Sequence, residues 1–144
     1  MTPDQVQIVR ATFARILPVK AQAAAVFYRR LFQVAPSMRT MFKSDAKAQG
    51  AKLMAALSMV VMDLDRLEKM IPRIQDLARR HVDYGVIEPH YATFGQTLMW
   101  TLEKALGPAF TPAVRDAWSE AYGILAEAMI AAAKQVPDRI VAAA

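Results

Sequence analysis

The stretch Ile74-Gln-Asp-Leu-Ala-Arg-Arg-His81, followed by a glycine at Gly85, decides how the rest of the chain is read. Ile74, Leu77, Ala78 and His81 stand at i, i+3, i+4 and i+7, the repeat of one helical face. The imidazole of His81 therefore points inward with apolar neighbours. It also lies near a helix C-terminus, where the dipole favours a protonated ring, and Gly85 is suited to stop that helix. Two readings stay open at this level. His81 is a helix-end cation or hydrogen-bonded core histidine, or it is the single protein ligand of a metal centre.

Outward from this face the punctuation is mostly proline, and it falls where helices begin. Thr2-Pro3-Asp4-Gln5 reads as a helix cap, a first-turn Pro and a Gln reaching back. Val6, Val9, Phe13, Ile16 and Leu17 follow at helical spacing. Pro18 is expected to open a second helix running to about Val34, anchored by Val26, Phe27, Leu31 and Phe32. Pro36 opens a short helical turn ending near Phe42, and Asp45 caps a long helix from Ala46 to Asp63 with Leu53, Leu57, Val60, Val61 and Leu64 along it. Pro72 is expected to separate a short helix from the one that carries His81. Pro89 opens a helix with Tyr91, Phe94, Leu98, Leu102 and Leu106 on one stripe, closed by Gly107. Thr111-Pro112 opens the last, with Val114, Trp118, Leu125 and Met129 inward. Nothing alternates with period two, and no hairpin signal occurs. The class is all-α, with seven or eight helices of unequal length, which disfavours a regular four-helix bundle.

Composition narrows the chemistry. The chain has 144 residues, 55% hydrophobic and 22% charged, which suits one domain with one core. That domain is expected to span 1–144, with the residues from about 135 frayed. There is no Cys, which excludes disulfides, thiolate catalysis, zinc fingers, iron–sulfur clusters and covalently attached haem. Net charge is +5, but the basic residues are scattered pairs such as Arg29-Arg30 and Arg79-Arg80, so nucleic acid is not an expected partner. The longest near-apolar run, Met54 to Met62, is about half the roughly 20 residues a membrane span needs. The N-terminus lacks a signal-peptide pattern, so a cytoplasmic protein is expected. No nucleophile elbow, phosphate-binding loop or nucleotide fingerprint occurs. Asp116, Glu120 and Glu127 read as a solvated acidic stripe.

There are two histidines, His81 and His90, too few for a bare zinc or di-iron site. His90, just after Pro89, is expected to face solvent. A centre that supplies its own in-plane ligands needs one imidazole, and haem is such a centre. It also needs a flat apolar cavity and a polar group opposite the imidazole. Phe42, Leu53, Leu57, Val86, Tyr91, Phe94 and Leu98 are candidates for the walls, though each also reads as ordinary core. Tyr28 and Gln49 are the polar candidates, and Lys52 has the reach to meet an anionic group at the rim.

Taken together, these residues resemble a globin. Pro36 followed by Phe42 resembles the globin C-helix proline and the Phe of the CD corner. Gln49-Gly-Ala-Lys-Leu53 resembles the distal stretch of the E helix. Leu77-Ala-Arg-Arg-His81 with Gly85-Val86 resembles the proximal F helix and FG corner. Leu102-Glu-Lys-Ala-Leu-Gly-Pro-Ala-Phe-Thr-Pro112, with Ala117-Trp118-Ser119 and Tyr122-Gly123, is similar to the G–H region of neuroglobin-like and bacterial single-domain globins. The resemblance runs from Thr2 to about Lys134.

The resemblance implies a globin fold around a b-type haem, with His81 as the iron ligand through Nε2 and its Nδ1–H given to a carbonyl, that of Leu77 one turn back. It implies that Tyr28 and Gln49 donate hydrogen bonds to dioxygen, that Phe42 wedges the porphyrin, that Leu53, Leu77, Val86, Tyr91 and Phe94 line the cofactor, and that Lys52 meets a propionate. Neuroglobins carry His at the distal position, where this chain has Gln49. Tyr28 with Gln49 instead resembles the distal pair of flavohaemoglobins, which add a flavin and nicotinamide domain for which 144 residues leave no room. The proximal His of flavohaemoglobins is served by a Tyr–Glu pair; Tyr91 falls at that Tyr and Ala133 at that Glu. The expected function is reversible binding and transport of dioxygen and other diatomic gases, nitric oxide and carbon monoxide included, by a monomer or homodimer. Nitric oxide dioxygenation would need an external reductase. The alternative is a haem-free helical interaction or sensor domain.

Overall fold

The computed structural model describes residues 1–42 and 44–135. Six α-helices run in order: α1 Pro3–Ile16, α2 Lys20–Val34, α3 Ala46–Met62, α4 Leu67–Asp83, α5 Glu88–Leu106 and α6 Pro112–Ala133. Three 3-10 turns, Leu17–Val19, Pro36–Met41 and Gly107–Ala109, join them. No strand occurs among the described residues, and no helix there is long and apolar enough to cross a membrane. The fraying expected beyond residue 135 falls outside the described residues.

Local chemistry sets the boundaries. Gln5 N–H donates to the Thr2 hydroxyl at 3.1 Å while Thr2 N–H donates to Gln5 Oε1 at 3.0 Å, so two otherwise unpaired donors at the start of α1 are satisfied. Asp45 accepts from Ala48 N–H at 2.8 Å, and the Thr111 hydroxyl accepts from Val114 N–H at 3.3 Å. Gly85 and Gly107 follow the ends of α4 and α5 with φ of 91° and 56°, a conformation that favours glycine. At the far end of α3 the carbonyls of Val61 and Met62 have no partner within the helix. Arg10 of α1 covers both, donating from Nε to Val61 O at 3.1 Å and from Nη2 to Met62 O at 2.7 Å, and it also pairs with Asp65 at 2.8 Å.

Three sequence expectations need correction. Pro72 does not divide a helix; it lies inside α4. It sits less than two turns from the N-terminus, so its missing N–H removes one early hydrogen bond while the amphipathic face Met70, Ile74 and Ala78 stays buried. Pro18 does not open α2 but lies in the 3-10 turn Leu17–Val19, and the α-helix begins at Lys20. The short helical turn expected after Pro36 is present, as the 3-10 segment Pro36–Met41. The described residues therefore hold six α-helices rather than seven or eight.

The core is formed where α1, α2, α5 and α6 converge, with Val9, Phe27, Leu31 and Met70 among the fully buried side chains. α2 packs on α3 and α5, whereas α4 packs chiefly on α6 and barely touches α3. The helix that carries Gln49 and the helix that carries His81 are thus held by different neighbours and barely meet. Inside the core the Trp118 indole N–H donates to the Thr12 hydroxyl at 2.8 Å, and that hydroxyl donates back to Ile8 O at 2.7 Å. Thr12→Val keeps the shape and removes the acceptor, stranding a buried indole N–H. Chemical denaturation is expected to show about 1–3 kcal/mol less stability at unchanged helix content; unchanged stability would show the bond to be dispensable.

Candidate functional site

α4 delivers His81 half-buried on its inner face. His81 Nδ1 lies 2.8 Å from Leu77 O. A carbonyl can only accept, so Nδ1 carries the hydrogen and the neutral ring presents its lone pair at Nε2. Burial pushes the His81 pKa down, the Leu77 carbonyl opposes this by stabilising the ring hydrogen, and Arg80 adds to the downward push. The balance is downward, so burial and Arg80 together outweigh the Leu77 carbonyl and the ring is held neutral. Val86 N–H donates to His81 O at 3.0 Å, which folds the chain back after α4 and places Val86 beside the histidine's turn.

On the other side of the expected site, α2 brings Tyr28, buried, and α3 brings Gln49, half-buried. Gln49 Nε2 donates to the Tyr28 hydroxyl over a long 3.4 Å. The phenol oxygen is thus the acceptor, and its own hydrogen is left to donate elsewhere. Burial raises the Tyr28 pKa, with the Gln49 contact pulling the other way, so the phenol stays protonated and a donor at neutral pH. Aromatic rings surround it: Phe42 at 5.3 Å between centroids, Phe27 at 5.1 Å and Phe32 at 6.0 Å. Phe94 reaches the same cluster from α5, 4.6 Å from Phe27.

The remaining expected residues divide. Leu77 is half-buried and supplies the carbonyl for His81. Leu53, Leu57 and Leu98 meet behind the distal side, at an apolar cavity of about 20 Å³ shared with Phe27 and Trp118. Tyr91 is half-buried at the start of α5, and burial raises its pKa. Lys52 is exposed and donates to the Ser44 hydroxyl at 2.9 Å rather than reaching inward. His90, expected to face solvent, is half-buried and its Nδ1 accepts from Ile87 N–H at 3.0 Å. Ala133 is half-buried near the end of α6.

Sequence reading missed Tyr122 and Gly95. The Tyr122 hydroxyl donates to Tyr91 O at 2.7 Å and so ties α6 to the first turn of α5. A Cβ at Gly95 would stand 2.6 Å from the Tyr122 ring, so glycine is what lets the ring lie there. A Gly in the middle of an apolar helical stripe was the available signal.

Two features suit a haem. The imidazole has the one tautomer that leaves Nε2 available, fixed by its backbone partner. Phe42, Leu77, Tyr91 and Phe94 are apolar side chains left only partly buried where they pack against the core.

A family model of the globins matches residues 25–129. The chain belongs to the globin family. This globin is 28% identical over 137 residues to a flavohemoprotein of Bacillus subtilis, covering 93% of the chain and 34% of that protein. It is 30% identical over 141 residues to a flavohemoprotein of Deinococcus radiodurans, covering 96% of the chain and 35% of that protein. The globin thus spans about a third of the length of these relatives. Among solved structures it superposes on a bacterial globin from Campylobacter jejuni with a TM-score of 0.83 at 28% identity, covering 93% of this chain and 97% of that one. It superposes on an engineered carbene transferase from Rhodothermus marinus, whose parent carries a provisional nitric oxide dioxygenase assignment, with a TM-score of 0.87 at 27% identity, covering 100% and 99%. The fold is that of a globin, and the family implies haem binding.

The lowered His81 pKa has a consequence for the chain without cofactor. The unfolded chain protonates this ring near pH 6.5, and the folded chain protonates it lower. The unfolded state therefore holds more protons in that window, and the His81 contribution to stability, present above about pH 6.5, is lost as pH falls through the folded pKa. Denaturation at a series of pH values is expected to show a steeper acid loss in the parent globin than in His81→Gln. Parallel curves would remove the buried neutral ring from the account.

Proposed function

We propose that this globin holds a b-type haem through His81 Nε2 and reversibly binds dioxygen, with nitric oxide and carbon monoxide as further diatomic ligands. The observation that carries this reading is a pair of prepared groups: on α4 a neutral imidazole whose Nδ1–H is held by Leu77 O, leaving its lone pair at Nε2, and on α2 a buried phenol whose oxygen accepts from Gln49. When bound, the haem supplies an open coordination position for a small gas. The chain's own residues do the rest. Leu77 holds the tautomer. Phe42, Leu53, Val86, Tyr91 and Phe94 keep water from the pocket. Tyr28, with Gln49 behind it, gives its hydrogen to a polarised ligand. Lys52 meets a propionate by releasing Ser44.

A hydrogen bond to a charged acceptor contributes about 1.5–3 kcal/mol. Removing it with Tyr28→Phe is expected to speed dioxygen release roughly 10- to 150-fold, measured by stopped-flow displacement. An unchanged rate would remove the distal role of the phenol. Nitric oxide dioxygenation, in which nitric oxide, dioxygen and one electron give nitrate, fits the same pocket. The flavohemoprotein relatives support a reductase as the source of that electron. Nitrate formed when the oxygenated protein meets nitric oxide tests this extension, and its absence confines the protein to gas binding.

The first test is an absorption spectrum of the purified protein, oxidised and reduced. A strong violet-region band is expected, and it is expected to disappear in His81→Ala and return when imidazole is added to the buffer. No such band in the parent protein, even after hemin is supplied, would leave the alternative of a haem-free helical interaction or sensor domain.

A further inference from the structure

α2 ends at Val34 because Pro36 forces the preceding residue out of the helical region; Ala35 takes φ −142° and ψ 73°. The chain then turns back along α2 as the 3-10 segment Pro36–Met41. This return brings two side chains onto Phe32, one turn beyond Tyr28. The Arg39 guanidinium stacks over the Phe32 ring, 5.2 Å from its centroid. Phe42 meets the same ring at 5.5 Å. Phe32 in turn stands 6.0 Å from Tyr28, and Tyr28 stands 5.3 Å from Phe42. The three rings form a closed triangle, and Arg39 covers its Phe32 corner.

We infer that Phe32, braced by Arg39, is a positioning residue for the distal donor: it holds the Tyr28 phenol and the Phe42 ring in one fixed arrangement and so sets the hydrogen bond that Tyr28 gives. The inference rests on the gas-binding reading above and adds a residue that touches neither ligand nor cofactor in that reading. The physical argument is one of restraint. The Gln49 contact to the phenol is long, 3.4 Å, and directs the hydroxyl weakly. The ring's orientation is therefore left to its aromatic neighbours: Phe27 and Phe42 meet it edge-to-face, a directional packing, and Phe32 lies tilted by 32° beside it and itself meets Phe42 edge-to-face. Phe27 holds one edge of the Tyr28 ring at 5.1 Å from the core side. Phe32 and Phe42 hold the other side. Phe32 touches both groups and joins them to a surface arginine.

The test uses the haem-loaded protein with carbon monoxide as the probe. A phenol that donates to the bound gas polarises it and lowers its C–O stretching frequency, so the infrared band reads Tyr28 directly. A role in folding alone would leave that band in place. Phe32→Leu removes the ring, and Arg39→Ala, at an exposed position, removes only the cover and leaves the core whole. Both are expected to move the band in the direction of Tyr28→Phe, Arg39→Ala by less. Phe32→Leu is expected to speed dioxygen release roughly 2- to 12-fold, the scale of one lost aromatic pair. Neither change is expected to shift anything further in a Tyr28→Phe background. If Tyr28→Phe moves the band and the other two do not, or if their effects persist in its absence, the positioning role is overturned and the gas-binding reading stands. If Tyr28→Phe itself leaves the band unmoved, the distal assignment fails and this inference fails with it.

Discussion

One hydrogen bond organises the proximal half of the molecule: His81 Nδ1–H to Leu77 O, at 2.8 Å. It decides which nitrogen carries the hydrogen, and therefore which one keeps its lone pair. A charged imidazole has no lone pair to give. Burial keeps the ring neutral by moving its pKa down against the pull of the Leu77 carbonyl, and Arg80 adds to that push. The scaffold that secures that burial is the amphipathic face Met70, Ile74 and Ala78 of α4, a helix that packs chiefly on α6.

The distal half follows from a different constraint, the shortness of the connection between α2 and α3. Proline at 36 turns the chain back within one residue of the helix end, so the connection runs along α2 rather than away from it. Phe42 is carried against Tyr28 by that return, and Asp45 starts α3 close enough for Gln49 to reach the phenol. A polar group of this kind would cost free energy if it were buried without a partner. Here the Tyr28 oxygen accepts from Gln49, and no buried side-chain nitrogen or oxygen among the described residues lacks a partner.

Most of this framework was legible because its signals are local. Pro3, Pro36 and Pro112 mark element starts, since a proline in a first turn gives up no hydrogen bond that the helix could have made. Pro72 was misread because position within a helix, not the residue itself, decides whether a proline breaks it, and the true start at Leu67 has no cap to announce it. The imidazole's partner came with the globin resemblance, which implied the carbonyl of Leu77 one turn back, and the structure places it there. The Lys52 contact to Ser44 was not, because a long flexible side chain goes where a loop outside its own helix offers an acceptor. The partners of Phe32 and Tyr122 were not legible for a related reason. Their contacts, to Arg39 and Phe42 in one case and to Tyr91 O and the space over Gly95 in the other, exist only once separate elements meet.

The proximal partner also bears on which chemistry the pocket favours. A carboxylate beside an imidazole N–H pulls on that hydrogen harder than a peptide carbonyl does, since hydrogen bonds to charged groups are worth about 1.5–3 kcal/mol against roughly 1 for neutral pairs. The harder pull makes the ring a stronger electron donor to whatever its other nitrogen holds. In this globin the ring's partner is the Leu77 carbonyl, and burial and the Arg80 cation also act on it. Ala133, half-buried near the end of α6, carries no carboxylate, and the Tyr91 carbonyl accepts from Tyr122. On the proposed reading, an imidazole held only by a carbonyl would leave a bound gas less activated, while Tyr28 would give its hydrogen on the other side. The pocket so built would favour holding its ligand over cleaving it, and turnover would depend on what is brought to the protein: a second gas and an electron from a reductase.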